Sequence, residues 1–96
     1  MTRRPRHPKP DANQSAMVEA LRQCGLVCHD VSALGGDCLD LFVGDPMSGH
    51  WCQVEVKTPD GTLTEGEAAY LDRYGQHLPI VVARRAEDVL AALGRV

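Results

Sequence analysis

Cys38-Leu39-Asp40-Leu41-Phe42-Val43-Gly44 and Trp51-Cys52-Gln53-Val54-Glu55-Val56-Lys57 are two apolar, β-patterned runs joined by Asp45-Pro46-Met47-Ser48-Gly49. The joining segment is turn chemistry. The runs therefore read as a hairpin with strands over Leu39 to Val43 and Trp51 to Lys57. Strand side chains alternate, so Cys52, Val54 and Val56 share one face and Gln53, Glu55 and Lys57 the other. Alone, that is an amphipathic strand with a wet face. Asp40 changes the reading, because a carboxylate in so apolar a run is costly unless paired or bound to a cation. If the hairpin aligns the two polar faces, Asp40 and Glu55 converge. Two carboxylates and a backbone carbonyl suit Mg²⁺ or Mn²⁺, with waters completing the shell. Lys57 would stand beside that ion. There it can position or deprotonate a water, or stabilise charge building on a phosphate.

Upstream of the hairpin, Asp11 can cap a helix, with Gln14 at the capping-box position. Met17, Ala20, Leu21 and Cys24 then fall on one face and Gly25 stops the helix. Leu26 to Val31 reads as a strand, and Ala33 to Asp37 as a glycine-bearing turn. Downstream, Thr58-Pro59-Asp60-Gly61 is a turn. Thr64 with Glu67 forms a capping box that opens a helix to about Tyr74, with Ala68, Leu71 and Tyr74 or Gly75 as its buried stripe. Pro79 begins a β-branched run, Ile80 to Ala83, typical of a covered strand. Ala86 to Leu93 is a last helix, stopped by Gly94. The order α-β-β-β-α-β-α, with a helical crossover to the fourth strand, implies an α/β fold built on a mixed sheet.

With 96 residues the chain has room for one domain, read here as residues 11 to 96 behind a basic, Pro-rich flexible arm over residues 1 to 10. Apolar residues are 44% and charged ones 24%, which excludes wholesale disorder. No apolar run approaches the roughly 20 residues of a membrane span. No apolar stretch follows the basic start, so the chain reads as cytoplasmic. The arm holds Arg3, Arg4, Arg6 and Lys9 and no acid, whereas the rest holds six bases against thirteen acids. So acidic a body does not hold nucleic acid by bulk charge; it needs the arm, local patches or bound cations. The arm reads equally as a phosphate-binding element or a solvated tail. Cys24, Cys28, Cys38 and Cys52 lack the Cys-x-x-Cys spacing of common zinc sites and read as reduced, buried thiols, with His29 and His50 the other conceivable zinc ligands. Neither histidine has a Ser or Cys partner at a readable spacing. Tyr70 and Tyr74 read as packing residues rather than base-stacking ones.

Gly36-x-Cys38-Leu39-Asp40-Leu41 followed by Glu55-Val56-Lys57 resembles the PD-(D/E)XK nuclease signature. The α-β-β-β-α-β order is that of the core of that superfamily. Glu55-Val56-Lys57-Thr58-Pro59-Asp60-Gly61-x-Leu63-Thr64 is similar to the catalytic strand and loop of small stand-alone VRR-NUC domains and Holliday junction resolvase-like proteins of phages and bacteria. Asp11-Ala12-Asn13-Gln14 and Asp30-Val31-Ser32-x-x-Gly35-Gly36 also look like related phage sequences. The resemblance spans residues 11 to 93. It implies a restriction-endonuclease-like fold and Mg²⁺- or Mn²⁺-dependent hydrolysis of DNA phosphodiesters, on junctions or other branched DNA, by a homodimer in a bacterial or phage-infected cell. It implies metal ligation by Asp40, Glu55 and the Val56 carbonyl, with Lys57 as the catalytic lysine. Arg3, Arg4, Arg6 and Lys9 would track the DNA backbone.

The sequence departs from that pattern in places. Leu39 stands where the motif has a proline. The glutamate usual on the first helix falls at Ala16. Glu19, one turn on, lies opposite the Met17/Leu21 face and reads as a surface acid or a displaced ligand. Asn13 or Gln14 can line the site instead. A glutamine common after the loop falls at Glu67, which serves the capping box, the site, or both. These changes keep a weakened or inactive nuclease-fold protein that binds DNA as the alternative. A structural protein holding zinc through its cysteines is a further rival. For the nuclease, Asp40→Ala, Glu55→Ala and Lys57→Ala are each expected to abolish cutting with thermal stability intact or raised.

Overall fold

A computed structural model of the chain describes residues 12–34 and 39–95. The elements are α1 (Ala12–Gln23), β1 (Val27–Asp30), a 3₁₀ turn (Ser32–Leu34), β2 (Leu41–Gly44), β3 (Trp51–Val56), α2 (Glu65–Tyr74), β4 (Ile80–Ala83) and α3 (Ala86–Ala92). The expected order, α-β-β-β-α-β-α, is the order observed. Asp11, the basic arm and most of the Ala33–Asp37 turn lie outside the described residues.

The sheet order is β1-β2-β3-β4. β1 with β2 and β2 with β3 pair antiparallel, and β4 joins β3 in parallel, so the sheet is mixed. The hairpin turn is tied by Asp45, whose N–H donates to the His50 carbonyl at 2.8 Å and whose Oδ1 accepts the Met47 N–H at 2.9 Å. Gly49 supplies the left-handed residue, φ 80°, that closes the turn. β4 is parallel and needs the crossover that α2 provides.

α1 and α3 end alike. After α1, the Gly25 N–H donates to the Arg22 carbonyl and the Leu26 N–H to the Leu21 carbonyl. After α3, the Gly94 N–H donates to Ala91 and the Arg95 N–H to Leu90. Both are Schellman closures, with the glycine left-handed at φ 82° and 80°.

One sheet face carries Cys28, Leu41, Val43, Cys52, Val54 and Val56, and these pack with Met17 and Leu21 of α1 and Val89 and Leu93 at α3. Leu21, Leu41, Val43, Val54 and Val89 are fully buried, each worth about 1.5–3 kcal/mol of burial. α2 meets the opposite face through Tyr70 on Gln53 and Glu67 on Lys57.

Three expectations about burial fail. Cys24 is exposed, lying in the closing turn beyond the end of α1 at Gln23; Cys28 and Cys52 are buried as expected, and Cys38 lies outside the described residues. α2 has no buried residue: Leu71 is half-buried, while Ala68 and Tyr74 are exposed. A helix over the polar half of a strand meets it through polar side chains, and the Ala68/Leu71/Tyr74 stripe finds little apolar surface to cover. β4 is half-buried except for Ala83, because it is an edge strand.

Candidate active site

The polar residues of β3 stand where the hairpin, the start of α1 and the N-terminus of α2 meet. Asp40 directly precedes β2. Its N–H donates to the Val54 carbonyl at 3.0 Å and its own carbonyl accepts the Val31 N–H at 2.8 Å. The next ladder position is taken by its side chain: Oδ2 accepts the Val56 N–H at 2.8 Å. The carboxylate is thus fixed against the strand that carries Glu55 and Lys57. It also gains a structural task, which corrects the expectation for Asp40→Ala. Removing it orphans the Val56 N–H, and lost stability follows.

Glu55 is 4% exposed. Burial raises its carboxyl first of all, a hydrogen bond to Glu67 adds to this, and the Asp40 and Glu67 charges push the same way, to about 9 against the opposing pull of Lys57. Lys57 Nζ lies 3.5 Å from Glu55 Oε2 and 2.7 Å from Glu67 Oε1. Its ammonium loses solvation by partial burial, but the Glu67 pair and the Glu55 carboxyl outweigh that loss and raise it. Glu67 is drawn down to about 2, since the Lys57 and Thr64 hydrogen bonds outweigh its partial burial. Among the described residues, the cluster thus sets Asp40, Glu55 and Glu67 beside the Lys57 ammonium.

Glu67 serves both roles considered for it. Its Oε1 accepts the Thr64 N–H at 2.8 Å, and Thr64 Oγ1 accepts the Glu67 N–H at 3.2 Å, completing the capping box. The same Oε1 meets Lys57. Asn13 Nδ2 donates to the Lys57 carbonyl at 3.0 Å, pinning α1 to the end of β3. Gln14, 6% exposed, donates to Asp30 Oδ2 at 2.9 Å. Glu19 is exposed and accepts from Gln23 Nε2 at 3.2 Å, as a surface acid does. Ala16 is exposed as well. Val56 places its side chain in the core and its N–H on Asp40. Arg3, Arg4, Arg6 and Lys9 lie outside the described residues.

Tyr70 and Gln53 enter the site without having been singled out for it. Tyr70 Oη donates to Gln53 Oε1 at 2.9 Å, and the Tyr70 and Tyr74 rings lie 5.0 Å apart. The signal was available: Gln53 shares the Glu55 face, and Tyr70 follows Glu67 by three positions, one turn along α2.

Among the described residues, no three His, Cys, Asp or Glu side chains form a metal cage. The donor set is instead two carboxylates on adjacent strands, with a third on α2 held by lysine. Mg²⁺ is commonly held by one or two carboxylates, with water and substrate phosphate supplying the rest. The adjacent placement of Asp40, whose Oδ2 is fixed on the Val56 N–H, and the buried Glu55 carboxyl fits such a donor set. No family model, curated protein or solved structure matches this chain. No helix among the described residues is long and apolar enough to cross a membrane.

Proposed function

We propose that the chain is a metal-dependent endonuclease of the restriction-endonuclease-like type, hydrolysing DNA phosphodiesters with a preference for branched DNA. The observation that carries this reading is the meeting of Asp40, Glu55 and Lys57 at the end of β3, with Asp40 hydrogen-bonded to the backbone between the other two. Asp40 and Glu55 would hold Mg²⁺ or Mn²⁺ with the Val56 carbonyl. The ion, when bound, supplies Lewis-acid polarisation of the scissile phosphate. Glu55 would hold the ion as a carboxylate. Lys57 is held as an ammonium by Glu67, so its part is to orient the attacking water and offset charge on the phosphate rather than to act as a base. Asn13 fixes the backbone that carries it. The basic arm would offset the acidic body along the DNA backbone, and a homodimer would bring two centres to two strands.

A second reading, a DNA-binding protein that does not cut, is favoured by Ala16, which brings no third carboxylate, and by the 2.7 Å Glu67 pair that engages Lys57. Purified protein with a labelled four-way junction and a matched linear duplex, in Mg²⁺, Mn²⁺ or EDTA, separates the two. Metal-dependent cutting of the junction is expected. Cutting of both substrates keeps the nuclease and removes the branch preference. Binding without cutting establishes the second reading.

A further inference from the structure

Along β3, Trp51, Gln53 and Glu55 share one face. Trp51 thus lies four residues upstream of Glu55, about 13 Å along the strand. Its ring stacks on Phe42, with centroids 5.1 Å apart and planes 15° from parallel. Both rings remain 39% exposed, and Val27 on the next strand is 47% exposed. Gly44 sits between Val27 and Trp51 in register, and a Cβ there would meet nothing within 4 Å. His29 lies across from Phe42, and Phe42 across from Gln53.

We propose that the Phe42–Trp51 pair is a stacking platform for the bases of a single DNA strand whose backbone runs toward Asp40, Glu55 and Lys57. The proposal rests on the reading of that cluster as a phosphodiester-cleaving centre. The size of the patch selects its occupant. Val27, Phe42 and Trp51 together expose on the order of 250 Å², against ~800 Å² on each partner of a stable protein interface. That area suits one or two bases. The charge agrees: Val27, His29, Phe42, Gly44, Trp51 and Gln53 include no carboxylate in a chain with thirteen acids. Asp45, next to Gly44, is turned into a two-bond pair with Arg95. Aromatic faces accept any base, and a single strand offers bases a duplex keeps stacked.

Trp51 is the only tryptophan, so its fluorescence reports the platform directly. Oligo(dT) of about a dozen nucleotides is titrated into the full chain in EDTA, where nothing is cut, beside a blunt duplex of equal length. Saturable quenching by the single strand and little by the duplex are expected. Phe42→Ala, which keeps the reporter, is expected to weaken single-strand binding roughly 5- to 100-fold. A silent fluorescence signal, equal quenching by duplex, or unchanged binding by Phe42→Ala overturns the platform. So does a dimer in sedimentation that Phe42→Ala dissociates, which would assign the patch to a second copy. Cutting in Mg²⁺ with silent fluorescence removes the platform and leaves the nuclease. Quenching without cutting keeps the platform and removes the nuclease.

Discussion

Glu55 is the residue on which the chemistry and the stability of the site pull apart. Its raised carboxyl binds a proton in the folded chain that the unfolded chain releases. It therefore contributes stability at low pH that is lost as pH rises from about 4.5 toward about 9. Glu67 works in the opposite sense: its lowered carboxyl stabilises the fold above about 4.5, and that is lost as pH falls toward about 2. In EDTA, wild-type protein is expected to melt lower at pH 8 than at pH 5, and Glu55→Gln to flatten that loss. A Glu55→Gln melting curve as pH-dependent as wild type would place the burden elsewhere. In the same melts, Asp40→Ala is expected to lose about 1–3 kcal/mol through the orphaned Val56 N–H. Asp40→Asn, whose amide oxygen still accepts, is expected to lose less. The convergence of Asp40 and Glu55 was legible because alternation and a turn-rich linker fix which side chains share a face. The second task of Asp40 was not: nothing in the sequence says that a side chain takes over where the ladder stops.

At the scale of elements, α2 shows where pattern reading succeeds and where it fails. Its start is set by Thr64 and Glu67, and the capping box forms as expected. Its packing was misread, because an apolar stripe of Ala68, Leu71 and Tyr74 carries no label for the surface beneath it. That surface is the polar face of β3, so Tyr70 and Glu67 make the junction. Thr64→Ala is expected to cost about 1 kcal/mol of stability. It should leave cutting close to wild type, because the Thr64 backbone N–H still holds Glu67 against Lys57. A large loss of cutting with little loss of stability would mean that the threonine hydroxyl itself serves the reaction. The strand and helix order came from turn chemistry and glycine stops. The half-burial of β4 depends on where the sheet ends, which is a property of the assembled fold.

Across the whole molecule, Arg95 ties distant segments together. Its guanidinium donates to Asp45 Oδ2 and Oδ1 at 2.8 and 2.9 Å and to the Cys24 carbonyl at 2.8 Å. The end of α3 is thus joined to the hairpin turn and to the end of α1. The Arg95 pair holds the Asp45 carboxyl well below the usual carboxylate range, so this stabilisation persists into acid and fades as pH falls through that lowered value. Arg95→Ala is expected to melt below wild type at neutral pH, with the gap narrowing in strong acid. An equal gap at all pH values would show that the charge pair is not its source. No sequence rule pairs residues 45 and 95. The contact follows from the Schellman turn at Gly94, which redirects the chain toward the hairpin.

Single-turnover cleavage of a labelled junction by wild type and Lys57→Ala, in Mg²⁺ and in EDTA, reads the proposed centre most directly. Wild type is expected to cut only with metal. Lys57→Ala is expected to keep its fold and DNA binding and to cut roughly 10²–10⁴-fold more slowly. Cutting by Lys57→Ala at the wild-type rate, or wild-type cutting in EDTA, would contradict an active centre built on Asp40, Glu55 and Lys57.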